Sequence, residues 1–332
     1  MSGCLADNKV EVNIYNGTNA SPGTNASSVT NLSPGANASP ADATFAPILP
    51  GTHMERMEYG GYSREYLVHV PPSYDGSKPY PLVIVMHGHG GTAAGMEKMT
   101  GFDSLADSEG FIVVYPQGAG IPGATNVNDT PAWRVSSSCC RYAVDHDVDD
   151  VGFLGAMLDR IEGEINADKD RVYAAGFSNG AGMAYTLGCV MADRFAAIAP
   201  VEGAMETDQA LNIKCTPSGP VSVVAILGTN DPKVPYDGGI FPDSVPSLVP
   251  SVRSEIDFWS AFDGCTMAAN ATEARDVTSE THTECKNGTG VLQYTIEGGT
   301  HMWSGPKTQN PANKEISATD VIWEFFDAHP RS

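Results

Sequence analysis

Apolar residues along this chain gather into short runs and helical stripes that begin only after the first fifty positions. Pro81–Met86 is an unbroken apolar run, the pattern of a strand buried on both faces of a parallel sheet. Phe111–Tyr115, Val172–Ala175, Phe195–Val201 and Val221–Leu227 repeat it, and Val291–Ile296 predicts a last strand. Arg64–Pro71 alternates apolar and polar residues, as a half-exposed strand does. Between these runs, Val151, Leu154, Leu158, Ile161 and Ile165 keep a helical period behind Asp149-Asp150, which predicts a capped helix. Gly182–Val190, Ser251–Phe262 and Ile316–Ala328 predict three more helices. Strands alternating with helices predict one α/β domain over residues 51–332, built on a mostly parallel sheet.

Residues 1–50 follow another rule. From Asn16 to Pro50 the chain is a low-complexity mixture of Asn, Ala, Ser, Thr, Gly and Pro with few large apolar side chains. Such a stretch buries too little surface to offset its ordering entropy, and it predicts a flexible tether. At its head, Ser2-Gly3-Cys4 resembles the end of a bacterial lipoprotein signal. Cys4 is therefore the candidate lipidation site, the only expected route to a membrane, and the expected location is extracellular, at the cell surface.

Charge narrows the partners. Forty acidic against nineteen basic residues among 332 give a net charge of −21. A surface so acidic repels nucleic acid and anionic lipid, and both are discarded as partners. No apolar run in the body approaches the roughly 20 residues of a membrane span. Six of the seven cysteines lie in the body: Cys139, Cys140, Cys189, Cys215, Cys265 and Cys285. An even set of this kind fits an oxidising compartment. The absence of Cys-x-x-Cys and of His pairs at i,i+4 argues against a zinc site, and no cofactor is expected.

The candidate chemistry sits where strands end. Val172–Ala175 runs into Gly176-Phe177-Ser178-Asn179-Gly180 and then an apolar helix, the context in which a Gly-x-Ser-x-Gly turn lifts a serine hydroxyl off a sheet. A serine is a poor nucleophile until a base takes its proton and a third group orients that base. Asp231, in the Gly-x-x-Asp-Pro turn after Val221–Leu227, and His301, after Val291–Ile296, complete the order Ser, Asp, His. The backbone N–H groups of Asn179 and of His89, in the turn His87-Gly88-His89-Gly90, are the candidate oxyanion donors, worth about 3 kcal/mol each in barrier height. Trp133, in a loop of more than 30 residues from Pro116 to Asp147, and Met302 and Trp303 beside the histidine, are the candidate substrate contacts.

Taken in register, five segments resemble the polyhydroxybutyrate depolymerase and feruloyl esterase group, the esterases of carbohydrate esterase family one. They are Val83–Gly91, Trp133 with Cys139-Cys140 and Asp149–Phe153, Gly176–Gly180, Gly228–Pro232 and Gly298–Trp303. The resemblance runs from Gly51 to the C-terminus. It implies an α/β-hydrolase fold, a secreted serine esterase without a metal, and Ser178, Asp231 and His301 as the triad. It also implies the disulfides Cys189–Cys215 and Cys265–Cys285, with Cys139 and Cys140 left for a vicinal bridge or an exchanged partner. Two positions depart from the family: Leu227 stands where a histidine is frequent, and Ser304 where a proline is. About 20 residues between the strands ending at Val201 and starting at Val221 leave no room for a large lid. An open site suits an ester on a polymer, first feruloylated or acetylated xylan, second polyhydroxybutyrate or an aromatic polyester. The rival of another class is a catalytically silent surface module that binds polysaccharide through its aromatics.

Overall fold

The continuous apolar runs lie side by side in the interior of one ten-stranded sheet. The structure is a computed structural model, and it describes residues 48–121, 123–126, 128–136, 141–206, 215–240 and 248–332. Its strands are β1 (Gly51–Tyr59), β2 (Tyr62–Val70), β3 (Tyr80–Met86), β4 (Ile112–Pro116), β5 (Ala167–Phe177), β6 (Ala197–Val201), β7 (Ser222–Gly228), β8 (Gly239–Ile240), β9 (Leu248–Val249), β10 (Met267–Ala274), β11 (Val277–Thr283) and β12 (Val291–Ile296). In space the sheet runs β1-β2-β4-β3-β5-β6-β7-β12-β11-β10, and β8 pairs with β9 in a separate ribbon. The six strands from β4 to β12 are parallel, while β1, β2, β10 and β11 add antiparallel edges.

Helices cover both faces, as a parallel sheet demands. They are α1 (Ala93–Thr100), α2 (Phe102–Glu109), α3 (Arg141–Asp145), α4 (Asp150–Glu164), α5 (Asn179–Val190), α6 (Val252–Asp263) and α7 (Ala318–Ala328). Alternate residues of β3 enter opposite cores. Leu82, Ile84 and Met86 pack with Met157 of α4, Leu187 of α5 and Trp259 of α6. Val83 and Val85 pack with Met96 of α1, Phe102 of α2 and Phe326 of α7. The Phe326 ring stacks on Tyr173 of β5 at 4.6 Å. This order and this layering make an α/β-hydrolase fold. Ligand sites of such sheets collect where the strand order turns, here between β3 and β5.

The long connection from β4 to α4 carries α3 and a bridge between Ala119 and Ala132. A buried ion pair holds it down. Arg64 in β2 donates to Asp150 at 2.7 Å, and the second oxygen of Asp150 accepts from the Arg134 N–H at 2.8 Å. The helix cap itself is Asp149, whose side chain accepts from the Gly152 N–H at 2.9 Å. Disulfides join Cys189 to Cys215 and Cys265 to Cys285. Cys4, Cys139 and Cys140 lie outside the described residues, as does all of the N-terminal stretch up to residue 47.

Candidate active site

Ser178 follows β5 directly and has φ +56°, ψ −119°, a strained conformation for a residue with a side chain. Its flanking glycines are required by close packing. A Cβ on Gly176 would stand 2.0 Å from the Gly180 carbonyl oxygen, and one on Gly180 would stand 2.3 Å from that of Met86. No other residue lets β3, β5 and α5 meet at this corner. Helix α5 begins at Asn179, three residues earlier than its apolar stripe predicts.

The candidate base and acid arrive from neighbouring strand ends. His301 follows β12, Asp231 follows β7, and these two strands pair in parallel. The Ser178 hydroxyl lies 2.9 Å from His301 Nε2, and His301 Nδ1 lies 2.7 Å from Asp231 Oδ2. The second oxygen of Asp231 accepts from the N–H groups of Lys233 at 2.7 Å and Val234 at 3.0 Å. Burial disfavours the charge on Asp231. The bond and charge of His301 and these two N–H groups outweigh it and hold the carboxyl below its usual range. The line Ser–His–Asp is thus assembled with the acid ionised. Such a line can pull a proton from the serine hydroxyl.

The turn after β3 abuts the serine. A Cβ on Gly88 would stand 3.1 Å from Ser178 Cβ, and the turn closes with the Gly91 N–H donating to the Gly88 carbonyl at 2.9 Å. His89 follows Gly88 and Asn179 follows Ser178, so the two candidate oxyanion donors come from adjoining turns. His89 Nε2 is bonded to the Thr130 hydroxyl at 3.0 Å. His87 is neither base nor ligand. It is buried, Nδ1 donates to the Gly88 carbonyl at 2.7 Å, and Nε2 accepts from the Gly118 N–H at 2.9 Å. Burial pushes it down to about 4, so it stays neutral and braces the turn.

Trp133 belongs to this brace. It is fully buried, its indole N–H donates 2.8 Å to the His87 carbonyl, and its backbone N–H and C=O bond both ends of the Asn179 amide at 2.7 and 3.0 Å. The expected substrate contact is corrected: Trp133 is buried behind the turn that holds His89, a candidate oxyanion donor. Trp303 is also buried, with its N–H on the Thr319 hydroxyl at 3.0 Å and its ring edge-on to Phe102. Only Met302 of the three side chains is half-exposed. It lines a cleft of about 790 Å³ together with Met99, Leu105, Phe177, His301 and Trp303. Phe177 packs against the His301 ring at 4.9 Å. Of these, Met99 and Leu105 carried no signal in the sequence, since a wall residue has no motif, and Phe177 stands inside the serine turn, whose pattern assigns it no role. Ser304, the departure from the family pattern, is buried and accepts from Asn313 Nδ2 at 3.0 Å.

Residues 64–216 match the family described as esterase PHB depolymerase. NocK of Nocardia uniformis subsp. tsuyamanensis, which carries the name of an esterase, is 29% identical over 86% of this chain and 83% of its own. Feruloyl esterase B of Piromyces equi is 31% identical over 72% of this chain, and the chain spans 42% of that relative's length. Among solved structures, the acetyl xylan esterase from Aspergillus awamori matches with a TM-score of 0.54 at 16% identity. That likeness is one of fold, covering 80% of this chain and 94% of the other.

Proposed function

We propose that this chain, a carboxylic-ester hydrolase of the polyhydroxybutyrate depolymerase and feruloyl esterase group, cleaves its ester through an acyl-enzyme on Ser178. The observation that carries the reading is the hydrogen-bonded line from Ser178 through His301 to Asp231. His301 Nε2 takes the hydroxyl proton as Oγ attacks the ester carbonyl, and the Asp231 carboxylate stabilises the imidazolium through Nδ1–H. The backbone N–H groups of Asn179 and His89 receive the oxyanion. Collapse expels the alcohol, which leaves with the proton from His301. A water molecule, deprotonated by the same nitrogen, then attacks the acyl carbonyl and frees Ser178 and the acid.

The apolar wall of Met99, Leu105, Phe177 and Met302 suits an aromatic or short aliphatic acyl group, and the half-open cleft suits an ester borne on a polymer. Feruloylated or acetylated xylan is the first substrate, and the relatives' names point the same way. The enzyme works outside the cell, held by a lipid on Cys4 and the tether of residues 1–50. Wild type and Ser178→Ala are to be compared on p-nitrophenyl acetate, with a loss of at least about 10³-fold in kcat expected. Turnover retained by Ser178→Ala, or absent from wild type, sinks the reading, the latter in favour of a silent binding module. Ranking methyl ferulate, acetylated xylan, polyhydroxybutyrate and a terephthalate ester by kcat/KM tests the substrate. A polyester in first place overturns the xylan assignment and leaves the mechanism standing.

A further inference from the structure

One buried acid beside the site stands outside the line from Ser178 to Asp231. Glu202 follows β6, between the strand that delivers Ser178 and the strand that delivers Asp231. Its backbone has φ +46°, outside the range side chains prefer. It is locked there, since the Glu202 N–H donates to the Ile226 carbonyl and the Ser178 N–H to the Val201 carbonyl, each at 3.0 Å. The side chain is 1% exposed. Oε2 accepts from the Gly228 N–H at 3.0 Å. Oε1 is buried, and no N–H or hydroxyl donor among the described residues reaches it; the Glu202 carboxyl lies against that of Asp231.

Two carboxyl groups share such a contact only when one carries a proton, because two bare carboxylates repel and neither donates. Asp231 has the imidazole and two N–H groups to favour its charge. Glu202 has a single N–H and is deeper. The proton therefore resides on Glu202. Resting on the reading of Asp231 as the acid of the triad, we propose that Glu202 is a positioning residue. As a neutral carboxylic acid it donates a hydrogen bond to Asp231 and fixes the carboxylate that aligns His301. Burial first, then the charge and hydrogen bond of Asp231, push the Glu202 carboxyl well above its usual range, against the pull of the Gly228 N–H alone. The charged groups facing it are Asp231 and, beyond that, His301.

Full-length Glu202→Gln and Glu202→Ala are to be made in the wild-type and Asp231→Asn backgrounds, with kcat and KM read on p-nitrophenyl acetate. A glutamine keeps both bonds, its amide NH₂ to Asp231 and its oxygen to Gly228, so kcat stays within about threefold of wild type. The alanine lowers kcat about 10- to 100-fold at unchanged KM in the wild-type background and less than about twofold in Asp231→Asn, the signature of coupling. Equal losses in both backgrounds, or a glutamine variant as slow as the alanine, overturn the proposal. Infrared difference spectra of wild type minus Glu202→Gln at neutral pH supply a readout that needs no alanine variant. A protonated-carboxyl carbonyl band is expected, and its absence overturns the proposal even where catalysis is intact. Should Ser178→Ala and Asp231→Asn both keep activity, the triad reading fails instead, while the band still reports on Glu202.

Discussion

Burial decides what each titratable side chain does here. His87 and His301 both end strands of one sheet, yet His87 is sealed from water and kept neutral as a brace, while His301 is 18% exposed at its side chain and opens onto the cleft. Glu255 on α6 shows the same rule for an acid. Its two oxygens accept from the Met205 N–H at 2.6 Å and the Tyr185 hydroxyl at 2.9 Å, but burial outweighs both and pushes its carboxyl up to about 8. A carboxyl raised on folding binds its proton more tightly in the folded chain. Its contribution is most favourable below the unfolded value near 4.5 and is lost as pH rises to about 8. Glu255→Gln, which can keep both bonds, should therefore remove a decline of up to about 1.4 kcal/mol per pH unit across that window. Urea unfolding of both proteins at pH 5, 6.5 and 8 measures it, and parallel declines would refute it. Ser178, Asp231 and His301 were legible in sequence because each sits in a patterned turn behind an apolar run. Glu202 was not, because a lone glutamate after β6 has no spacing to read, and its meaning comes from the two strands beside it.

Elements were legible in proportion to their burial. β3, β4, β6 and β7 are buried along their whole length, so composition alone marks them. The edges are different. β1 faces inward with His53, Glu55, Met57 and Tyr59 and exposes Met54, which scrambles the alternation of apolar and polar. Seven of the eight residues of β10 are exposed, so pairing with β11 holds that strand and no apolar face announces it. The Cys265–Cys285 bond ties this hairpin to the end of α6 across a separation of 20 residues. Replacing both cysteines by serine should cost about 3 kcal/mol of unfolding free energy. Chemical denaturation tests this, and a change under about 1 kcal/mol would mean that the hairpin is held by pairing alone.

In a molecule of net charge −21, the cleft wall carries two lysines beside one aspartate, Asp320. Lys98 and Lys307 stand on its wall, and neither has an ion-pair partner among the described residues. The site as proposed gathers groups from five adjacent strand ends, those of β3, β5, β6, β7 and β12, although the chain reaches them far apart in order.

The pairing of β7 with β12 across the inserted hairpin also sets a clock. Until β12 docks, Ser178 and Asp231 are in place with no imidazole between them, and contacts that span long loops form slowly. In refolding from denaturant with the disulfides intact, ester hydrolysis should return after far-ultraviolet circular dichroism has recovered most of its amplitude. Simultaneous recovery would show that the last strand joins with the rest. A growing chain would by the same logic remain inert until β12 and the turn that carries His301 leave the ribosome, so that catalysis reports the docking of that strand.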